Sequence, residues 1–460
     1  MSPTTTAPPP PVAPLRTAPA PVAAPTSRRG ADGPPRERAA SWYADTAHAA
    51  PRRPRLEDDV EADVCIVGAG FGGLSAALHL VAAGREVTVL EAVRVGRDAS
   101  WRNGGQIVNG LNAGLDRIER RYGDTAADFV GSMLCEGGAI VRALIAEHGI
   151  ECDLKGGSVV VARDARRMRA LEAREALWRR HDMDGHELLD RSALRAHVGS
   201  DLYVGGTLDR AGGHLHPLNL ALGEAAALER AGGRIHEASR VVRIDDVGGR
   251  PVVHTERGRV RPAALVLCGN AHLGRVVPEL EARTVAVSTH TLATEPLDEA
   301  LAGSLLPSDA CVEDSSSILD HCRLTPDRRL LFGGASARGG RAPEDIVAEL
   351  RPRMRAVFPA LADVTVDHAW SDDFALSSRR APQLGRLGPN SYHAMAYSGH
   401  GVTCSHLFGR LIAEAITGER SRFERLAAMR WSPFPGGRRI ASAGSASGSW
   451  WHGLRDRIGV

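Results

Sequence analysis

The chain has 460 residues, 43% of them hydrophobic and 24% charged, the profile of a globular protein with a core large enough for two or three domains. A formal net charge of +2 excludes the basic field that nucleic acid or an anionic membrane would call for. The seven cysteines (Cys65, Cys135, Cys152, Cys268, Cys311, Cys322 and Cys404) are scattered with no C-x-x-C pair, so neither a disulfide framework nor a zinc site is expected; a reducing, cytoplasmic setting is.

Residues 1–40 hold eleven of the 27 prolines and read as a disordered tail. Order begins near Ser41. Residues 63–67 are a β-branched apolar run, a buried strand. The turn Gly68-Ala69-Gly70-Phe71-Gly72-Gly73 follows, then a helix over 74–83 stopping at Gly84, then a strand over 86–90 closed by Glu91. This is one βαβ unit of about 30 residues. Residues 124–150 and 164–182 read as helices, and 263–268 as another buried strand running into Gly269-Asn270. Residues 284–294, 311–323 and 328–334 have the period of an antiparallel sheet. A helix over 344–358 precedes a late strand over 392–397, which ends at Ser398-Gly399-His400-Gly401 before a helix over 402–417. No apolar run approaches the roughly 20 residues of a spanning helix. Pieces of a dinucleotide fold thus occur at both ends, with sheet-like material between. The fold class is α/β, with a Rossmann-like domain interleaved with an antiparallel-sheet domain.

The G-x-G-x-x-G turn follows a strand and opens a helix, which is the context the motif requires. Gly68 allows the tight turn, Gly70 the approach of a pyrophosphate, and Gly73 close packing of helix on strand. The helix N-terminus offers free N–H donors to phosphate, and the carboxylate of Glu91 suits a ribose diol. The fingerprint serves FAD and NAD alike. A second loop, Arg97-Asp98-Ala99-Ser100-Trp101-Arg102-Asn103-Gly104-Gly105-Gln106, is rich in glycine and amide donors. Such a loop can line a pyrophosphate and the edge of a flavin ring, whereas a nicotinamide enzyme has no need of it. FAD is therefore the expected cofactor, with no metal.

The order of these motifs resembles the FAD-dependent amine and amino-acid oxidases related to D-amino acid, glycine and sarcosine oxidases. Within that superfamily the segments are most similar to the branch that oxidises γ-glutamylputrescine. The matching segments are residues 102–109, Cys152-Asp153-Leu154-Lys155, residues 212–227, Arg386-Leu387-Gly388, Ser398-Gly399-His400-Gly401-Val402-Thr403, Pro433-Phe434-Pro435-Gly436-Gly437 and Gly453-Leu454-Arg455-Asp456. The resemblance implies an FAD-binding domain from 41–150, 205–282 and 366–430, a substrate domain from 151–204 and 283–365, and a C-terminal extension over 431–460. It also implies oxidation of the terminal primary amine of γ-glutamylputrescine or a similar γ-glutamylated amine to the aldehyde, with ammonia and hydrogen peroxide. The partners are thus a small amine and oxygen. Related amino-acid or N-methyl amine oxidation, a dehydrogenase using another acceptor, and a flavin-binding protein without turnover stay open. The chain departs from the family pattern at Asp98 and Trp101, over residues 371–380 and at His321-Cys322, positions where substrate shape is read.

His400 is the expected catalytic residue, set between glycines at a helix N-terminus that favours negative charge on the ring. Ala99, Ser100, Arg102, Asn103, Gly104, Gly105 and Gln106 are expected around the cofactor, with Val241 and Val242 at adenine, Gly269 and Asn270 at the pyrophosphate, and Gly399, Gly401, Val402 and Thr403 at the ring. Trp101, His214, His216 and Trp370 are expected near substrate, with Tyr203 and Phe374 as further aromatic candidates. Arg323 or Arg379 is expected to pair the glutamyl carboxylate. Lys155, the only lysine, precedes a different strand and is not expected to assist oxygen. Covalent flavin attachment through Cys404 or a histidine stays open. Trp450, Trp451 and Leu454 are expected to dock on the protein's own surface.

Overall fold

The computed structural model of the chain describes residues 41–181, 185–273, 276–316, 319–337, 341–377 and 380–429. The tail 1–40, Arg379 and the segment 431–460 with Trp450, Trp451 and Leu454 lie outside the described residues. The first of two sheets is Rossmann-like. Its central strand Val60–Val67 pairs in parallel with Arg259–Leu267 on one side and Val87–Leu90 on the other. Arg234–His236 and Ser391–Met395 extend the parallel set outward. Gln383–Gly388 closes one edge in antiparallel fashion, and the hairpin Val241–Val247/Arg250–Thr255 attaches to the base of Arg259–Leu267. The C-terminal halves of the central strands are mostly buried and apolar because helices cover the sheet. The helix Phe71–Ala82 is buried along nearly its whole length, clamped between Gly401–Thr417 and Pro217–Arg230. Its small residues, Ser75, Ala76 and Ala77, permit that approach, and Ser75 Oγ donates to His406 O at 2.9 Å.

The second sheet has nine strands. Val366–Ser377, Thr284–Thr294, Leu330–Ala337, Asp320–Leu324 and Cys311–Asp314 follow one another in antiparallel pairs. Cys311–Asp314 then joins Lys155–Ala162 in parallel, and that strand joins Gly205–His214, with Gln106–Ile107 and His186–Asp190 beyond. Three strands lie on the other side of the expected domain boundaries. Gln106–Ile107, Gly205–His214 and Val366–Ser377 fall in ranges expected for the FAD-binding domain, yet all are hydrogen-bonded into the second sheet. Their local pattern says strand, but a strand's sheet is set by distant partners and register, which composition does not carry. The expected helix over 124–150 is two helices, Asp124–Gly131 and Glu136–His148. By length and composition Asp124–His148 is apolar enough to cross a membrane, but more than half of it is buried in the protein, and Glu136–His148 packs on Gly401–Thr417.

The parallel strands Val60–Val67, Val87–Leu90 and Arg259–Leu267 deliver the glycine turn, Glu91 and Gly269-Asn270 to one edge. This is the crevice outside the carboxyl ends of the strands where ligands sit in such sheets. The paired strands Thr284–Thr294 and Val366–Ser377 approach from the second sheet, so the crevice lies between the two sheets.

Candidate active site

A cavity of about 860 Å³ runs through this crevice, inside the range for small-molecule and cofactor sites. At one end is the glycine turn. Gly68 has φ +105°, a region that favours glycine. A Cβ on Gly73 would stand 2.0 Å from Gly68 O, so helix and turn are in direct backbone contact. Gly70 caps the helix Phe71–Ala82 without a side-chain hydrogen bond, and Phe71 N donates to Ser100 Oγ at 3.1 Å. Gly70, Phe71 and Gly72 at the helix start line the cavity, and a helix N-terminus favours an anion.

Glu91 accepts from Ala69 N at 3.0 Å and from Val93 N at 2.9 Å. These two bonds tie its carboxyl to the glycine turn and to the loop after its own strand at once. Burial pushes Glu91 up to about 7, against the lowering by the two N–H donors. Arg240, Val241 and Val242 line the cavity nearby.

The second loop forms a short helix, Ala99–Arg102. Asn103 locks the turn after that helix: its Nδ2 donates to Ala99 O at 2.8 Å and its Oδ1 accepts from Gly105 N at 2.8 Å. Behind it, Arg323 donates from Nε to Gly104 O at 2.8 Å, from Nη1 to Leu324 O at 3.2 Å and from Nη2 to Tyr43 Oη at 3.1 Å. Trp370 Nε1 donates to Arg102 O at 2.9 Å.

The C-terminal wall is strained. Ala396 and Ser398 have φ 59° and 57°, each costing of order 1 kcal/mol. Polar contacts from other elements hold them. Ala396 N donates to Asn270 Oδ1 at 2.9 Å, Asn112 Nδ2 to Ser398 O at 2.5 Å, and Ser377 N to Ser398 Oγ at 3.3 Å. His400 comes next, with Nδ1 at 3.1 Å from Gly110 O. Burial keeps it below the ordinary histidine range, with the Gly110 carbonyl opposing. A neutral imidazole donating from Nδ1 leaves Nε2 as the lone-pair nitrogen. Thr403 Oγ1 donates to Val108 O at 2.8 Å.

The structure brings His400 and every expected cofactor residue to this cavity except Gly73, Arg102 and Gly105. Gly73 packs on the turn, and Gly105 O accepts from Leu215 N at 2.8 Å. The Arg102 guanidinium lies 4.8 Å over the Trp101 ring. Asp98, His321 and Phe374, all at departures from the family pattern, do line it. Asp372 and Arg380 line it from the departing stretch 371–380, and Asn112, Glu313 and Tyr397, which carried no sequence signal, line it as well. The Tyr397 Oη and Asp372 Oδ1 atoms are buried there without a hydrogen-bond partner. A ligand with hydrogen-bonding groups along its length fits such a wall, as does the glycine turn with its capless helix.

Several expectations are corrected. Arg323 does not face substrate: it is 2% exposed, and its three contacts anchor the Gly104 loop to Tyr43. His214 is buried in the second sheet, with Nε2 2.8 Å from Asp309 O. His216 caps the helix Pro217–Arg230 by accepting from Asn219 N at 3.1 Å, and packs on Trp42 and Tyr43. Burial lowers both histidines to about 3. Trp101 and Trp370 are 2% and 4% exposed and lie behind the loop. Tyr203 belongs to the core beneath the second sheet. Cys404 is buried, with Sγ 3.6 Å from Gly110 O, and its thiol is pushed up to about 12 by burial; it is not part of the cavity wall.

A family model described as FAD dependent oxidoreductase matches residues 63–415. The chain is 45% identical over 425 residues to gamma-glutamylputrescine oxidoreductase of Escherichia coli, covering 92% of this chain and 100% of that protein. It is 36% identical over 427 residues to probable oxidoreductase OrdL of Haemophilus influenzae, covering 92% and 98%. Among solved structures, glycine oxidase from Geobacillus kaustophilus matches with a TM-score of 0.69 at 20% identity, covering 82% of this chain and 100% of that one. L-proline dehydrogenase from P. horikoshii matches at 0.67 and 17%, covering 80% and 96%. These two likenesses are of fold.

Proposed function

Because this chain belongs to the family of FAD-dependent oxidoreductases, with FAD as its cofactor, we propose that it oxidises the terminal primary amine of γ-glutamylputrescine or a similar γ-glutamylated amine. The balanced reaction takes R–CH2–NH2, oxygen and water to R–CHO, ammonia and hydrogen peroxide. The observation that carries this reading is the 45% identity to the Escherichia coli protein over 92% of the chain, a stretch long enough to include both the glycine turn and His400.

Bound FAD supplies the electron acceptor for the carbon–nitrogen bond. In this reading the turn Gly68–Gly72 and the helix N-terminus hold the pyrophosphate, Glu91 the ribose diol, and Val241 and Val242 the adenine. Asn103, Gly104 and Gln106 and the segment Gly399–Thr403 frame the ring. The amine must be neutral to react, and a recessed, largely apolar cavity favours that form. His400 orients the amine, and its Nε2 lone pair accepts the proton an incoming ammonium must lose. The seven free thiols support a reducing, cytoplasmic compartment. Lys155 pairs with Asp309 at 3.1 Å and does not line the cavity. That observation favours a second reading, in which an acceptor other than oxygen takes the electrons.

An anaerobic bleaching screen of the flavoprotein against polyamines and their γ-glutamyl forms tests the substrate. Bleaching by γ-glutamylputrescine is expected, and no bleaching by any γ-glutamyl amine ends the reading. Mixing the bleached protein with air then separates oxidase from dehydrogenase, since slow reoxidation excludes oxygen as the acceptor.

A further inference from the structure

A second cavity of about 510 Å³ adjoins the first, and the two share Val108, Asn112, Glu313 and His400 in their walls. Its far side is the helix Ala165–Arg180. Leu171, Glu175, Leu177 and Trp178 bury that helix against the protein. The spacing places Arg174 one turn before Trp178, and its guanidinium lies 4.9 Å over the indole ring, a cation–π contact that orients a cation without neutralising it.

Arg174 is sparingly paired. Nη2 donates to Thr207 Oγ1 at 3.0 Å and lies 3.6 Å from Glu175 Oε1, and Nε is buried with no hydrogen-bond partner. Its side chain is 32% accessible and lines this cavity. The charges of Glu175, Glu313 and Asp209 already act on Arg174, and its spare N–H donors can meet a further anion. The planar fork selects a carboxylate, which it can hold by two parallel hydrogen bonds. Asp209, which accepts from Asn109 Nδ2 and Ala211 N, and Glu313, whose carboxyl burial pushes up to about 7, share the cavity wall as acceptors for an ammonium group. Carboxylate and ammonium together are the two charges of an α-amino-acid head.

We propose that this second cavity binds the α-amino-acid head of a γ-glutamyl amine, with Arg174 as the partner of its carboxylate. The inference rests on the γ-glutamyl amine as substrate and adds the site that selects the acyl end. Extended γ-glutamylputrescine spans nine bonds from its α-carbon to its reacting amine, about 11 Å at three backbone repeats of 3.8 Å. Its ends therefore belong in different places, and two cavities meeting at His400 provide them. Arg380 lines the first cavity and is the competing carboxylate partner.

The test is steady-state kinetics of the flavin-loaded enzyme on γ-glutamylputrescine and on N-acetylputrescine, which keeps the amide and the amine but lacks the charged head. The readout is the ratio of the two kcat/KM values. Arg174→Gln is expected to lower that ratio about 100-fold through KM for γ-glutamylputrescine, and Arg174→Lys to lower it less. Ala173→Trp, at an exposed helix position on the same cavity wall, is expected to lower it too, and decides the matter if Arg174→Gln does not fold. A merely structural role would lower both activities and leave the ratio in place. An unchanged ratio in Arg174→Gln and Ala173→Trp, or a loss produced by Arg380→Gln instead, overturns the assignment while the substrate reading stands. Failure of the wild-type enzyme to oxidise any γ-glutamyl amine overturns both.

Discussion

Gly73→Ala adds one methyl group where the glycine turn and its helix touch. The new Cβ would stand 2.0 Å from Gly68 O, 3.1 Å from Gly68 C and 3.2 Å from Ile66 Cγ2, whereas ordinary contact begins at 3.4 Å. The helix start must move by the difference, 1.4 Å. The turn cannot yield instead, because Gly68 N is bonded to Leu90 O at 2.8 Å and Gly68 already sits at φ +105°. Overpacking of this kind costs about 1–3 kcal/mol. If the helix start holds the cofactor's phosphates as proposed, a shift above 1 Å would also break those hydrogen bonds, and two such charged bonds at roughly 1.5–3 kcal/mol each account for about 3 kcal/mol or more. FAD affinity should therefore fall by at least about 100-fold. Titration of the apoprotein with FAD, followed by quenching of flavin fluorescence, reads this directly. Gly303→Ala is the control. Gly303 lies in the helix Glu299–Leu305, and nothing stands within 4 Å of its added Cβ; the protein should gain about 0.5–1 kcal/mol with FAD affinity unchanged. If Gly73→Ala binds FAD within about threefold of wild type, the turn is not the phosphate cradle.

His216→Ala removes a helix cap, a contact with Thr46 Oγ1 at 3.1 Å and packing on Trp42 and Tyr43. It should cost about 2–4 kcal/mol in denaturant unfolding with little change in the amine's KM; a raised KM at unchanged stability would return His216 to the substrate site. Burial pushes Asp372 up to about 7 from 3.8, against the lowering by Arg102. A carboxyl raised on folding contributes stability that is full below its unfolded value and lost as pH rises through the folded one. In the apoprotein, Asp372→Asn should therefore gain on wild type between about pH 4 and about pH 7, by up to a few kcal/mol. Urea midpoints that keep a constant offset across that range would refute the buried, raised carboxyl. Acid precipitation should leave the flavin in the supernatant, because Cys404 lies outside the cavity wall with its thiol pushed up to about 12; a yellow pellet would point to a covalent link.

The parts of the site legible in the sequence are those whose chemistry is local. The glycine turn, Glu91 and the Ser398–Thr403 segment each declare themselves within a few residues, since a tight turn, a strand end and a helix start leave composition marks. What stayed hidden depends on contacts between distant positions. Arg323 looked like one of many arginines, and only its bonds to Gly104 and Tyr43 reveal a brace. Asn112 is an ordinary amide until Ser398 lies against it. The strand Gly205–His214 pairs with Lys155–Ala162, about 50 positions away, and nothing within either segment names the other. Arg174 sits among five other arginines in its helix, and only the cavity in front of it sets it apart. The departures at Asp98, His321 and residues 371–380 were the useful exception. A local mismatch with the family pattern pointed to residues that do line the cavity, although Trp101 lies behind it.

The placement of Gly68 and His400 in one cavity has a consequence for how the protein is made. They are 332 positions apart (68 to 400), which at ribosomal speeds of about 5–20 residues per second is roughly 20–60 s of synthesis. During that interval the helix Phe71–Ala82 exists without Gly401–Thr417, one of the two helices that clamp it, and Ser391–Met395 has yet to join the sheet. The nascent chain therefore carries an apolar helix with an open side, a surface for chaperones or for aggregation. Cofactor loading must come as one of the last events in maturation, after nearly the whole chain has emerged.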